Sequence, residues 1–183
     1  TSCFSFDNPD GVGREKRRLE DVAGKEILGC RNHYLKFTVP GTWKVLKKSG
    51  LVYDTTLGFS DRPFFRAGTA YPFYPYDLNE EKVVDILEIP MVIMDSALLL
   101  HAGNISKAFS ITKKILDDVR KTNGTIAVNF HTGIFCSRDF PGWADIYIMI
   151  LKYIKDYNGR GVTARQVHNE AAGENQGYFI SMG

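Results

Sequence analysis

A chain of 183 residues, 44% hydrophobic and 24% charged, can bury one sizeable core and is short for two ordinary domains. Its 23 basic and 21 acidic residues are interspersed and leave a formal charge of +2. The basic cluster Arg14–Arg18 is diluted by Glu15 and Glu20, so the basic stripe that a nucleic-acid partner requires is missing. Cys3, Cys30 and Cys136 are odd in number and lack CxxC spacing. That argues against a disulfide framework or structural zinc and fits a reducing, cytoplasmic compartment. No apolar run reaches the roughly 18 residues of a membrane span, and no signal peptide is visible.

In chain order, Arg14 to Ala23 predicts a helix with Leu19, Val22 and Ala23 on one side and Gly24 as its stop. Glu26 to Cys30 reads as a short strand. Thr42 to Ser49 is a helix capped by Thr42 and ended by Gly50, and Leu51 to Tyr53 is the next strand. Leu87 to Met94 is almost continuously apolar, as a strand buried on both faces would be. Ile105, Ala108, Phe109, Ile115, Leu116 and Val119 recur at helical spacing, with Asn104 or Ser106 as cap and Asn123-Gly124 as end. Thr125 to Phe130 is a strand. Pro141 fits the first turn of a helix whose stripe is Ile146, Tyr147, Ile150, Leu151, Ile154 and Tyr157. Gly161-Val162 leads into Thr163-Ala-Arg-Gln166, a capping-box spacing. After Glu170 the chain reads as a polar, Gly-rich tail, so residues 1–170 form the expected domain and 171–183 the tail.

Alternating strands and helices imply βαβ units and a parallel sheet. There are about five such units, against the eight of a closed barrel of about 250 residues. The expected fold is therefore α/β, a partial or distorted (β/α) barrel with parallel strands and outer helices.

Ligands in such folds meet the C-terminal ends of the strands. Those positions hold Arg31 and His33, Asp54, Asp95 and His131. One Asp after a strand is usually a cap or turn former, but five polar groups on one rim favour a site. The segment Phe64 to Asp77 is dense in aromatics around Arg66 and Tyr71. It reads either as a sugar-stacking wall or as a lid closing the core.

Cys30-Arg31-Asn-His33-Tyr34-Leu-Lys-Phe37, Thr42-Trp43 and Gly50-Leu-Val-Tyr53-Asp54-Thr-Thr-Leu-Gly58-Phe59 resemble polysaccharide deacetylases of the NodB type. The nearest branch is the one linked to surface-polysaccharide biosynthesis. The resemblance continues through Phe65-Arg66-Ala-Gly68-Thr, Tyr71-Pro-Phe73, Glu88-Ile-Pro90, Met94-Asp95 and Asn129-Phe130-His131, over roughly residues 14–170. It implies metal-assisted hydrolysis of N-acetyl groups on a carbohydrate, with a divalent metal, usually zinc, activating water. His131 matches the family's histidine that protonates the departing amine, and Arg31 the arginine that grips the catalytic carboxylate. Tyr34, Asp54, Arg66, Tyr71 and Asp95 fall in matching stretches and are taken as substrate-binding.

The family's first two motifs, an aspartate pair on the first strand and two metal-binding histidines, have no counterpart. Where the second should stand, only Phe4-Ser-Phe-Asp7-Asn-Pro-Asp10 is found. The metal is thus not expected to be held by this chain alone, unless His33, His101 and His131 with Asp54, Asp61 or Asp95 build a substitute. Three functions follow: part of a carbohydrate deacetylase, with an N-terminal half supplied elsewhere; a non-catalytic carbohydrate-binding or assembly protein; or an amidohydrolase-like enzyme with a rearranged site. A missing first strand would leave a parallel sheet edge exposed, so a homodimer is also expected.

Overall fold

Asn8 begins the first helix, earlier than apolar spacing suggests. Its side chain accepts from the amides of Asp10 and Gly11, and Pro9 supplies a preset φ at the first turn. The helix, α1 (Pro9–Ala23), stops at Gly24, whose φ of 63° is left-handed and whose N–H returns to the Glu20 carbonyl. In this computed structural model, which describes residue 2, residues 5–173 and residues 180–182, α1 buries Gly11, Val12 and Gly13 at its N-terminal end. Leu19 and Val22, expected to face the core, are exposed. The longer helix places its packed turn upstream of them.

The chain divides into two compact units, Thr1–Leu57 with Pro72–Ile89, and Gly58–Tyr71 with Pro90–Gly183. In the first, α1 is followed by β1 (Gly29–Cys30), α2 (Gly41–Lys48) and β2 (Tyr53–Asp54). Thr42 does not cap α2. It lies buried inside the first turn, where its hydroxyl accepts from the Thr38 amide. A hairpin of β3 (Tyr76–Asp77) and β4 (Lys82–Val83) precedes β5 (Leu87–Glu88). The sheet β1-β2-β5 is parallel, with Gly29, Tyr53 and Leu87 in register and Cys30, Asp54 and Glu88 one step on. A Cβ on Gly29 would stand 1.8 Å from the Tyr53 ring. Gly29→Ala is therefore expected to lower stability by about 1–3 kcal/mol in chemical denaturation.

The strand expected over Leu87–Met94 is broken at Pro90, which has no N–H to give a ladder. Its second half, β6 (Met91–Met94), belongs to the second unit. There follow α3 (Asp95–Ala102), α4 (Ile105–Lys121), β7 (Ile126–Asn129), α5 (Ala144–Asp156), β8 (Gly161–Val162), α6 (Ala164–Ala172) and β9 (Ile180–Met182). The sheet runs β6-β7-β9-β8, parallel throughout. Asn104 caps α4 by accepting from the Lys107 amide, and Thr163 and Gln166 close the expected capping box on α6. The core joins Ile93, Leu98, Leu116, Ile126, Ile146 and Ile150. Tyr153 is buried on α5 in place of Tyr157, which is half exposed. Thr112 is buried on α4 with no partner for its hydroxyl. Thr112→Val should raise stability by about 1 kcal/mol, read as a higher denaturant midpoint.

The architecture is mixed α/β with parallel strands in small sheets, and no sheet among the described residues closes into a barrel. Of the expected tail, residues 171 and 172 finish α6 and residues 180–182 enter the sheet as β9. Residues 174–179 and 183 lie outside the described residues, as does Cys3. No helix among the described residues is long and apolar enough to cross a membrane.

Candidate functional site

In the second unit, β6 and β7 are adjacent, with Met94 opposite Asn129. Asp95 directly follows β6 as the first residue of α3, and His131 stands two residues past β7. Adjacency of the strands brings the two side chains together. Asp95 Oδ1 is 2.6 Å from His131 Nδ1 and also accepts from the Ser96 amide at 2.6 Å. Its other oxygen, Oδ2, accepts from the His131 backbone N–H at 2.6 Å.

Burial separates the partners. The Asp95 side chain is 2% exposed and that of His131 59%. The carboxylate grips both backbone and ring of His131, so the imidazole has one defined orientation. With Nδ1 occupied as donor to the carboxylate, Nε2 is the nitrogen left for exchange with a ligand. After His131 a short 3-10 turn, Thr132–Phe135, closes through the Ile134 amide on the His131 carbonyl. Phe130 and Phe135 both pack on Tyr147 of α5, which braces this loop from behind.

Arg66 and Tyr71, expected to bind substrate, are also in the second unit, on a loop anchored elsewhere. Arg66 donates to the Gly58 carbonyl, and Gly58 abuts Met91 at the start of β6. The Tyr71 hydroxyl donates to the Thr122 carbonyl, close to the start of β7. These anchors lie at the opposite end of the strands from Asp95 and His131. The aromatics here serve in part as a lid: Phe65 packs on the core and Phe64 meets His101 edge-on.

The remaining expected residues belong to the first unit. Arg31 Nε donates to the carbonyl and hydroxyl oxygens of Thr55, at 3.3 and 3.1 Å, and burial lowers its pKa from the ordinary value. Tyr34 is 70% exposed with its ring on His33, at a left-handed φ of 56°. Asp54 is not open to a substrate. It is fully buried, accepting from the amide and hydroxyl of Thr56 and from the Cys30 thiol. Glu88, not singled out from sequence as a functional residue, faces it and is equally buried. One signal was present, a lone carboxylate within an apolar strand pattern.

Among the described residues, no three His, Cys, Asp or Glu side chains converge into a group able to hold a metal ion. No family model, curated protein or solved structure matches the chain.

Proposed function

We propose that this protein acts in carbohydrate deacetylation of the NodB type, with His131 delivering a proton to the departing amine of an N-acetylated sugar. The observation that supports this reading best is the buried Asp95 carboxylate bonded to Nδ1 of the exposed His131 ring. A carboxylate so placed fixes the tautomer and stabilises the imidazolium formed when Nε2 takes up a proton. That proton is then given to a leaving nitrogen within hydrogen-bond reach. Arg31, its Nε bonded to Thr55, takes by resemblance the family's role of gripping a carboxylate, which a planar guanidinium suits.

The family's divalent metal does not fit the donor set of the described residues. Asp95 has both oxygens engaged by His131 and Ser96, and no third ligand stands with them. The described residues account for proton transfer and positioning. The same donor set favours a second reading, a carbohydrate-binding or assembly protein without catalysis.

One experiment separates these readings. The chain is incubated with N-acetylated chito-oligosaccharide, with and without zinc, and acetate release is measured beside metal content by mass spectrometry. Acetate release lost in His131→Gln supports the deacetylase; saturable oligosaccharide binding without acetate favours the second reading. Neither binding nor release would reject both.

A further inference from the structure

In the first unit, Cys30, Asp54 and Glu88 end three neighbouring parallel strands at one level. Asp54 and Glu88 are each 0% exposed. Asp54 receives the Thr56 hydroxyl at 2.6 Å, the Thr56 amide at 3.0 Å and the Cys30 thiol at 3.4 Å. Glu88 receives the Trp43 indole N–H at 2.7 Å and the Leu57 amide at 3.1 Å. The groups facing the pair are few in kind. From β1 and its exit come the Cys30 thiol and the Arg31 guanidinium, whose charge acts on Asp54. From α2 comes the indole of Trp43, and from the segment before β3 the Phe73 backbone, which bonds both ways with that of Glu88. Among the described residues, one cation balances one carboxylate. A second negative charge at this depth would be uncompensated, which costs several kcal/mol.

We infer that Asp54 and Glu88 share one proton, held on Glu88 and donated to Asp54, and that this proton is a pH-sensitive latch fastening β2 to β5. The inference is independent of the carbohydrate reading. Burial, then the adjacent Asp54 charge, raises the Glu88 carboxyl well above its ordinary value, and burial raises Asp54. The folded state therefore holds the proton more tightly than the unfolded chain, whose glutamate releases it near pH 4. Stability from the latch is complete below about pH 4 and is lost as the pH climbs through the folded value. Release of the proton sets two like charges at the strand ends beside Thr55, which fixes Arg31.

Infrared spectroscopy of the intact chain tests this directly, together with the indole N–H resonance of Trp43, assigned with Trp43→Phe. At neutral pH the wild type should show a protonated-carboxyl band. On alkalinisation that band should vanish in step with a shift of the Trp43 resonance. Glu88→Gln should lack the band, keep its Trp43 resonance constant and lose at least half the fall in denaturant midpoint between about pH 5 and pH 9. Absence of the band at neutral pH, or its survival in Glu88→Gln, would overturn the inference. If Glu88→Gln fails to fold, the wild-type band and the Trp43 titration decide it: concerted change supports the latch, and an invariant Trp43 resonance rejects it.

Discussion

Asp95→Ala is expected to destabilise the protein by about 2–4 kcal/mol, well beyond an average surface change. The Asp95 carboxylate is buried and accepts from the Ser96 amide, the His131 amide and the His131 ring. Truncation leaves these donors facing a void at the junction of β6 and α3, and hydrogen bonds to a charged acceptor are among the stronger kind. Asp95→Asn keeps the shape and loses the charge. Its amide can accept at one oxygen only, so it should fall between alanine and wild type. Equilibrium denaturation of the three proteins checks the order. An Asp95→Ala variant as stable as wild type would mean that the carboxylate does not hold this junction.

His131→Gln should show the opposite balance. Its side chain is more than half exposed, so stability should move by less than about 1 kcal/mol. Any acetate-releasing activity should fall by about 100- to 10,000-fold, the range for loss of a positioned acid–base group. Initial rates at saturating oligosaccharide measure this. Because the variant stays folded, a loss of rate cannot be ascribed to unfolding. The pair divides its labour by burial: energy resides in the hidden aspartate and chemistry in the open imidazole.

The long helix α4 was legible in full, because its cap, its stripe and its Asn123-Gly124 end agree with one another. The same holds for the capping box of α6. The helix α3 was not. Ala97 and Leu98 are buried and Leu100 is exposed, in a run apolar on every side, so no period marks a face. The start of α1 carried a signal, Asn8 before Pro9, which the charged residues downstream outweighed. Pro90 was visible, yet hydropathy alone does not tell a strand that continues from one that changes sheet. Asp95 and His131 were each recognisable at strand ends. Their pairing depends on β6 lying beside β7, an adjacency fixed by tertiary packing and written in no local pattern. Glu88 escaped for the same reason, since its partner Asp54 is 34 positions earlier in sequence and adjacent only through the β2–β5 register.

The grip of Asp95 on the His131 ring is the contact on which proton transfer depends, and long-range ¹H–¹⁵N correlation of the histidine side chains tests it most directly. In its neutral form His131 should carry its proton on Nδ1, the less common tautomer of a free histidine, and Asp95→Asn should abolish that preference. A neutral His131 protonated on Nε2, or a ring whose tautomer ignores residue 95, would contradict the dyad and the proton-transfer role built upon it.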